Sequence, residues 1–269
     1  MSTVAEITGM PGSVADRFSL AGRVAIVSGS GTGIGRAIAL VFAEQGADIV
    51  LAARRRGPLE HTAADVESMG RRALVVPTDV TDPEQCERLV AATVAEFGQI
   101  DVVVNNAGGA LTKAPMDWGA DEWRQIVDVN LAGVYFLSRA AARSMLTRGK
   151  GSIVNISSGS SFNPFPIGLP YGASKAAVNN LTNSLAAAWT PHGVRVNAVA
   201  AGGVRTELLI EDALKNGIDP DTIGAGNGMG RLAEPYEIAT AVLFLASDAS
   251  SFCSGATLYA GGGPKVAGM

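Results

Sequence analysis

The sequence predicts an α/β protein of three layers, in which a doubly wound, seven-stranded parallel sheet carries helices on both faces. Two observations predict this fold. Short apolar, β-branched runs alternate with segments of helical period along the chain, with no internal linker and no low-complexity tract. The runs are apolar throughout rather than alternating with polar residues, which is typical of strands that are buried on both faces.

The predicted elements follow in a regular order. Strands are predicted at residues 24–28, 49–53, 73–76, 102–104, 151–157, 194–199 and 256–259. After a first helix behind a glycine-rich turn, helices are predicted at residues 58–69, 83–97, 121–145, 171–189 and 235–246. Asp82-Pro83 has the pattern of an N-cap followed by the first helical residue, and Asp121 is predicted to cap the long fourth helix. Residues 203–233 contain many glycines and are predicted to be irregular.

Composition and charge exclude several classes of protein. The 269 residues are 47% hydrophobic and 17% charged, with a net charge of −4, which gives no electrostatic argument for a nucleic-acid or anionic-membrane partner. No apolar run reaches the length of a membrane span. The first residues lack the basic start and apolar core of a signal peptide. We therefore expect an N-terminal arm at residues 1–19 and a single domain at residues 20–269.

The cysteines and histidines predict neither a disulfide framework nor a metal centre. Cys86 and Cys253 allow at most one disulfide, and a chain of this size needs none, so a cytoplasmic, reducing location is expected. His61 and His192 lie in no cluster with the spacing of metal ligands.

A tyrosine and a lysine four residues apart give the first chemical signal. Tyr171 and Lys175 lie at the start of a predicted helix, where residues i and i+4 share one face. A tyrosine has an unperturbed pKa of about 10, and a neighbouring cation lowers it. Such a phenol can donate a proton to a carbonyl oxygen or accept one from an alcohol. Ser158, at the end of the preceding strand, can offer a second hydrogen bond to the same oxygen. The spacing alone is common in helices and needs support from other motifs.

A glycine-rich turn joins the first strand to the first helix. Its sequence, SGSGTGIG, places Gly29, Gly31, Gly33 and Gly35 at alternate positions. Glycines let the backbone turn tightly and approach a pyrophosphate at the N-terminus of the helix. The spacing is G-x-x-x-G-x-G, and the alternative is a tight turn that binds no ligand.

The end of the second strand predicts the choice of dinucleotide. A carboxylate there would bind a ribose 2′-hydroxyl, whereas an arginine accommodates a 2′-phosphate. Ala53 is followed by Arg54, so NADP(H) is predicted over NAD(H), with a solvated basic turn as the other interpretation. The glycine-rich turn, Asn105-Asn106, Ser158 and residues 203–206 all follow predicted strands, which indicates one composite site at the carboxyl ends of the sheet.

Several further motifs occur in a fixed order. They are SGSGTGIG at 28–35, Asp79-Val80, NNAG at 105–108, Asn130, Ser158, YGASK at 171–175, VNAVAAGGVRT at 196–206 and the terminal YAGGG. Together, over about residues 20–263, they resemble the short-chain dehydrogenase/reductase family, in its compact single-domain subgroup with a Rossmann fold.

The resemblance implies a role for each matching residue. Tyr171 would be the general acid/base, Lys175 would lower its pKa and hold the nicotinamide ribose, and Ser158 would orient the substrate carbonyl. Asn130 would support a water molecule that links Lys175 to solvent. The reaction would be hydride transfer between nicotinamide C4 and a carbonyl or secondary alcohol carbon. Besides Tyr171 and Lys175, the implied cofactor contacts are Gly29, Ser30, Thr32, Gly33, Ile34, Gly35, Arg54, Asp79, Val80, Asn106, Ala107, Gly108, Gly202, Val204 and Thr206.

The chain departs from the family pattern at three places. Ser28 replaces a threonine but keeps the hydroxyl. Ala201-Gly202 replaces Pro-Gly, which is expected to loosen the following segment. Gly261 replaces an aspartate, so a structural hydrogen bond is expected to be missing.

Two stretches are predicted to wall the substrate pocket. They are residues 160–169 and the segment 207–229, here called the lid, with a contribution from Leu111. Their apolar side chains favour a small-molecule substrate that is a hydrophobic or ring ketone. The alternative is that these side chains pack on neighbours or cover a subunit contact. Glycines in the lid suggest that it moves.

Other functions remain open from sequence. Arg143, Arg148 and Lys150 could meet an acidic carrier protein, as in a 3-oxoacyl-[acyl-carrier-protein] reductase, although His192 stands where those reductases tend to present arginine. An NAD-dependent sugar-alcohol dehydrogenase is another alternative. A non-catalytic nucleotide-binding sensor is disfavoured because Tyr171, Lys175, Ser158 and Asn130 are all present. An epimerase or dehydratase is disfavoured because related enzymes of that type have G-x-x-G-x-x-G spacing and a separate C-terminal substrate region, and neither is seen here. The resemblance implies a homotetramer, with a dimer as the alternative.

Overall fold

Seven parallel strands form the centre of the protein, as the computed structural model of residues 13–264 shows. The strands are β1 Val24–Ser28, β2 Asp48–Ala53, β3 Ala73–Pro77, β4 Val102–Asn105, β5 Gly151–Ser158, β6 Val194–Ala201 and β7 Thr257–Ala260. They lie in the order β3-β2-β1-β4-β5-β6-β7, and all neighbours are parallel. The predicted fold class is confirmed. The order reverses between β1 and β4, and ligands bind beside such a reversal.

Helices cover both faces of this sheet. They are α1 Val14–Phe18, α2 Gly33–Glu44, α3 Arg56–Ser68, α4 Pro83–Phe97, α5 Ala120–Val127, α6 Gly133–Arg148, α7 Leu169–Trp189, α8 Glu207–Lys215, α9 Pro220–Gly224 and α10 Pro235–Ala246. The cap predicted at Asp82 is present, because its carboxylate accepts hydrogen bonds from the backbone N–H groups of Glu84 and Gln85 at 2.8 and 3.3 Å.

The two faces of the sheet bury separate apolar cores. On β1, Ala25 and Val27 point toward the core under α2 and α10, while Val24 and Ile26 point toward the core under α4, α6 and α7. Both sets are essentially inaccessible to solvent. This double burial explains why the strands have apolar sequences without polar alternation.

The predicted long helix at 121–145 is interrupted. A five-residue π-helical segment, Asp128–Ala132, separates α5 from α6. The predicted cap at Asp121 is wrong, because Gly119 precedes the helix and its N–H donates to the Glu122 carboxylate at 3.2 Å. The extra residue in the π segment changes the direction of the side chains that follow it, and such segments are frequent at functional sites.

The prediction that residues 203–233 are irregular is also wrong. The segment contains α8 and α9. Thr206 caps α8 by accepting a hydrogen bond from the N–H of Leu209 at 3.3 Å. Asp219 caps α9 by accepting one from the N–H of Asp221 at 3.0 Å. Gly217 lies between these helices, Gly224 is the last residue of α9, and Gly226, Gly228 and Gly230 follow it, so the glycines do not prevent helix formation.

The predicted N-terminal arm is described only in part. Residues 1–12 of that arm lie outside the described residues. From Ser13 onward the chain packs on the domain: α1 brings Phe18 to a ring-centroid distance of 6.3 Å from Phe244, and Leu20 is fully buried. Within residues 13–264, no helix combines the length and apolarity that a membrane crossing requires.

Candidate active site

The glycine-rich turn after β1 is packed too tightly for side chains. A Cβ on Gly35, in the first turn of α2, would overlap the carbonyl oxygen of Gly29. Gly33 has a φ of 55° and its added Cβ would lie 3.2 Å from Cγ2 of Thr206. The N-terminus of α2 therefore opens onto a surface made of backbone, which is the environment that a pyrophosphate group needs.

Ser28 connects this turn to the end of β4. Its hydroxyl accepts hydrogen bonds from the N–H groups of Asn106 and Ala107, both at 3.0 Å, and donates to the carbonyl oxygen of Val104 at 3.2 Å. The amide of Asn106 in turn donates to the carbonyl oxygens of Ser28 and Gly29 at 3.0 and 3.2 Å. The serine at this position therefore makes these contacts through its hydroxyl, as expected from the sequence.

A cavity of about 830 Å³ extends along the carboxyl ends of the strands, from Arg54 and Asp79 to Tyr171 and Lys175. Most of the predicted site residues line it, namely Gly29, Thr32, Gly33, Ile34, Gly35, Arg54, Asp79, Val80, Asn106, Ala107, Gly108, Asn130, Tyr171, Lys175 and Thr206. The topology thus brings residues from seven widely separated stretches of sequence to one continuous surface.

Four predicted residues lie outside the cavity lining. Ser30 is fully buried, and its hydroxyl accepts a hydrogen bond from the N–H of Ala52 at 3.1 Å, so it supports β2 rather than facing the cavity. Gly202 and Val204 lie behind the lining, where the N–H of Gly202 donates to Ala260 and Val204 is buried. Ser158 lies beside the cavity, next to Tyr171, which lines it and whose pKa Ser158 lowers.

Other lining residues are not predicted from the sequence. They include Arg55, Pro58, Thr78, Thr81, Gly109, Ala110 and Ile156. Each lies close to a predicted residue at the carboxyl end of a strand, and this position is the only signal that could have identified them.

Two arginines make the far end of the cavity basic. Arg54 and Arg55 both line it, are exposed, and have no ion-pair partner within the described part of the chain. The next arginine, Arg56, faces away and lies 3.5 Å from the carboxylate of Glu60. Positive charge is therefore available where β2 ends, at the position where a 2′-phosphate would be recognised.

Asn130 is held at the near end of the cavity by the π-helical segment. Its amide nitrogen donates to the carbonyl oxygens of Gly109 and Ile126 at 2.7 and 2.9 Å. A Cβ on Gly108 would lie 2.7 Å from Oδ1 of Asn130 and 3.6 Å from Nζ of Lys175. Gly108 therefore allows the asparagine and the lysine to approach the same point of the cavity wall.

Lys175 is almost completely buried. Its ammonium group donates to the carbonyl oxygen of Ile156 at 2.8 Å, and it lies 5.5 Å from the ring centroid of Tyr171. Burial disfavours the charged form and lowers the pKa of Lys175 to about 8. The hydrogen bond to β5 fixes the direction of the side chain on the face of α7 that it shares with the tyrosine.

The pKa of Tyr171 moves in the direction opposite to the sequence expectation. Burial raises it above the ordinary value, and a hydrogen bond from Ser158 only partly opposes this change. The expectation considered the neighbouring cation and not the removal of the phenolate from water. Phe165 contributes to this burial, because its ring packs edge-on against Tyr171 with centroids 6.3 Å apart.

The residues present fit a dinucleotide. The backbone surface at Gly29–Gly35, two unpaired arginines and a deep elongated cavity are the features that a pyrophosphate, a 2′-phosphate and two nucleosides require. By contrast, no group of three or more potential metal ligands occurs among residues 13–264.

Apolar side chains are available for a substrate beside this site. Leu111 and Leu208 line the cavity, and Phe162, Ile167 and Leu208 are 58%, 45% and 58% exposed. A backbone hydrogen bond of 2.8 Å from Lys113 to Ile167 joins the loop after β4 to the loop after β5. Of the two predicted pocket walls, the lid contributes Leu208 to the cavity lining. Residues 160–169 lie outside that lining, with Phe165 packed against Tyr171.

Known proteins share this sequence and fold. A family model described as enoyl-(acyl carrier protein) reductase matches residues 29–265. Cis-4-hydroxycyclohexanecarboxylate dehydrogenase of Sinomonas cyclohexanicum is 41% identical, over 91% of this chain and 97% of the relative. L-rhamnose 1-dehydrogenase (NAD(P)(+)) of a Sphingomonas strain is 38% identical, over 92% and 98%.

A solved structure is also similar to this chain in sequence and fold. It is a candidate NAD(P) dependent gluconate 5-dehydrogenase from Beutenbergia cavernae with bound NADP at low occupancy. It is 37% identical, has a TM-score of 0.85 and covers 91% of this chain and 98% of its own. The fold, the motif order and these similarities agree, and this chain belongs to the short-chain dehydrogenase/reductase family, whose members are oxidoreductases of alcohols and ketones.

Proposed function

We propose that this protein transfers a hydride between NADP(H) and a hydrophobic or ring ketone, or the matching secondary alcohol, with Tyr171 as general acid/base. The observation that carries the proposal is the grouping of Ser158, Tyr171, Lys175 and Asn130 at one end of a cavity whose other end is basic.

Each residue has a chemical task in the proposed reaction. The nicotinamide of the bound cofactor supplies or accepts the hydride. In reduction, Tyr171 donates its phenolic proton to the carbonyl oxygen, and Ser158 donates a hydrogen bond to the same oxygen. Lys175 offers positive charge beside the phenolate that remains. Asn130 forms two hydrogen bonds with the backbone of Gly109 and so fixes the loop after β4 near Lys175. A general acid of this kind contributes about 10²- to 10⁴-fold in rate.

The preference for NADP(H) over NAD(H) is supported by Arg54 and Arg55. Ala53 provides no carboxylate for a ribose 2′-hydroxyl, while both arginines are free to bind a phosphate. The Beutenbergia relative contains NADP, and the Sphingomonas relative is named for both cofactors.

The substrate class is supported by the apolar walls. Leu111 and Leu208 place hydrocarbon on the cavity wall, and the Sinomonas relative is named for an alcohol on a cyclohexane ring. A sugar or sugar alcohol is the second candidate, favoured by the name of the Sphingomonas relative. An acyl-carrier-protein substrate has less support, because Arg143 is paired with Glu87 at 2.8 Å and Arg148 with Asp101 at 2.9 Å.

The homotetramer and the cytoplasmic location stay predictions. Some apolar residues of α6, such as Val134 and Leu137, are buried within the chain and are not available for a subunit contact. Tyr135 on α6 and Leu258 and Tyr259 on the edge strand β7 remain 38–46% exposed and support a subunit contact. Light scattering distinguishes a tetramer or dimer from a monomer.

The decisive experiment measures NADPH and NADH oxidation against ring ketones, α-diketones, keto-sugars and acetoacetyl thioesters. Wild type is compared with Tyr171→Phe and with Tyr236→Phe, a control at a tyrosine that is 61% exposed and outside the cavity. We expect faster turnover with NADPH on a ring ketone and a loss of at least about 10²-fold in Tyr171→Phe only.

Other outcomes would contradict separate parts of the proposal. A clear preference for NADH would exclude the role of Arg54 and Arg55. Full activity of Tyr171→Phe would exclude the acid/base role. Binding of NADPH without turnover on any ketone would favour the sensor.

A further inference from the structure

The turn that follows β5 directs a second serine onto Ser158. Ser160 donates to the hydroxyl oxygen of Ser158 twice, from its backbone N–H at 3.2 Å and from its own hydroxyl at 3.0 Å. Ser158 thereby caps the short 3-10 turn Gly159–Ser161.

These two contacts determine what the Ser158 hydroxyl can do. A hydroxyl has one proton to donate and two lone pairs to accept with. Both acceptor positions of Ser158 are used by Ser160, so the single proton is left for a third group. The neighbouring group on the cavity side is the phenol of Tyr171, where Ser158 opposes the rise in pKa that burial causes.

The position of Ser160 is itself fixed by its surroundings. The hydroxyl of Ser161 donates to the carbonyl oxygen of Ser158 at 2.6 Å and accepts from the Asn179 amide at 2.9 Å, which fastens the turn to α7. A Cβ on Gly172, next to Tyr171, would lie 3.4 Å from the carbonyl oxygen of Ser160. The turn therefore lies close against the first turn of α7.

We propose that Ser160 is a positioning residue of the reaction, which makes Ser158 an obligatory hydrogen-bond donor toward the cavity. Its single proton serves the Tyr171 phenol before substrate binds and the substrate carbonyl oxygen during the reaction. The inference rests on the proposed function and adds a residue to the four that the family resemblance implies. Ser160 acts through Ser158 and does not touch the reacting atoms.

The effect on catalysis is electrostatic. A hydroxyl that accepts two hydrogen bonds is polarised and donates a stronger one. The bond from Ser158 matters most when negative charge develops on the carbonyl oxygen, so the loss of the Ser160 hydroxyl reduces turnover more than substrate binding.

The test uses three variants of the full-length protein. Ser160→Ala removes the donor, Ser160→Thr keeps a hydroxyl, and Ser161→Ala removes the neighbouring hydroxyl that bonds only to backbone and to Asn179. Two quantities are measured. The first is kcat and KM on the best ketone of the panel. The second is the phenolate absorbance titration of Tyr171 with saturating NADP⁺, taken as the difference from the same variant carrying Tyr171→Phe, with circular dichroism to confirm the fold.

We expect Ser160→Ala to lower kcat about 3- to 10-fold at a nearly unchanged KM, the size of one neutral hydrogen bond. The pKa of Tyr171 should rise by about half a unit, because a weaker donor stabilises the phenolate less. Ser160→Thr should stay within about twofold of wild type. Ser161→Ala loosens the turn but keeps both contacts of Ser160 with Ser158, so it should shift the titration less than Ser160→Ala does.

Two results would overturn the proposal. One is an unchanged titration and kcat in Ser160→Ala. The other is an equal change in Ser161→Ala, which would mean that any loosening of the turn suffices. If wild type turns over no ketone, the proposed function fails, and the titration still decides the role of Ser160.

Discussion

The glycine-rich turn at residues 28–35 and the lid at residues 207–229 form facing walls of one cavity, but different forces hold them. They meet where Gly33 lies against the side chain of Thr206, directly before the lid. The turn is fixed by buried backbone contacts. The lid is fixed mainly by helix caps and exposed ion pairs.

The contacts of the turn are internal and short. The N–H of Gly29 donates to the carbonyl oxygen of Ala52 at 2.6 Å, and Ser30, Ser28 and Asn106 complete the network to β2 and β4. Buried hydrogen bonds of this kind are costly to leave unpaired, so the geometry of the turn does not depend on a ligand.

The contacts of the lid are exposed. Arg205 bonds to Asp221 at 2.7 Å and lies 3.4 Å from Glu234, and all three side chains are 41–71% exposed. The N–H of Gly228 donates to the carbonyl oxygen of Gly263, which ties the end of the lid to the segment after β7. Exposed ion pairs contribute little to stability and weaken with salt.

This difference predicts that the turn and the lid respond differently to a ligand. The turn has its final geometry before a ligand binds, whereas the lid can change conformation at a small cost in free energy. Substitutions in the turn should therefore affect folding and cofactor affinity, and substitutions at the base of the lid should affect substrate kinetics.

The largest effect is expected for Gly35→Ala. The added methyl group would overlap the carbonyl oxygen of Gly29, and neither backbone can move without breaking the network of the turn. We expect a loss of about 3 kcal/mol or more in the free energy of unfolding. Affinity for NADPH should fall by at least about 10²-fold. Urea denaturation and NADPH fluorescence titration measure the two quantities.

Gly57→Ala is the matched control. Gly57 lies in α3, and nothing is within 4 Å of an added Cβ. This variant should stay within about 1 kcal/mol of wild type in the free energy of unfolding, because the gain in helix propensity is opposed by contact of the new Cβ with the Pro58 ring. It should bind NADPH normally. Normal NADPH affinity in Gly35→Ala would show that the turn adapts as readily as the lid.

A smaller effect is expected for Lys175→Met, because burial of the lysine charge costs stability near neutral pH. The pKa of Lys175 is about 8 in the folded protein against 10.5 as its ordinary value. Between these values the unfolded chain binds more protons, so the free energy of unfolding of wild type rises with pH. We expect the variant to be more stable by about 2 kcal/mol at pH 7, after loss of the hydrogen bond to Ile156, with the advantage shrinking toward pH 10.

Urea denaturation of both proteins at several pH values measures this difference, and groups common to both cancel. A constant difference between pH 7 and pH 10 would mean that Lys175 keeps an ordinary pKa. The site would then be less completely removed from water than its burial indicates.

The turn and the lid differ in how well the sequence predicts their structure. The turn is predictable because glycine spacing and a strand pattern are local signals. The helices α8 and α9 are missed although Thr206 and Asp219-Pro220 carry cap signals as clear as Asp82-Pro83. The many glycines outweighed these caps in the prediction.

Features that depend on tertiary contacts are not readable from sequence. The π-helical segment around Asn130 is a change of one residue in helix register, and no pattern marks it. The direction of the Tyr171 pKa depends on burial. The contacts of Ser160 depend on how the turn after β5 lies against α7. These three features lie at the end of the cavity that contains Tyr171 and Lys175, which is assembled from segments distant in sequence.

The smallest effect on stability is expected for Arg205→Ala, at the base of the lid. Removing its exposed pairs with Asp221 and Glu234 should leave the midpoint of urea denaturation within error of wild type. The KM for the ketone should rise about 2- to 5-fold because α9 loses an anchor, and added salt should reduce the difference from wild type. Arg88→Ala, which removes an exposed pair with Glu84 on α4, is the control and should change neither quantity. Unfolding of Arg205→Ala at a much lower urea concentration would show that the lid, like the turn, is part of the rigid framework.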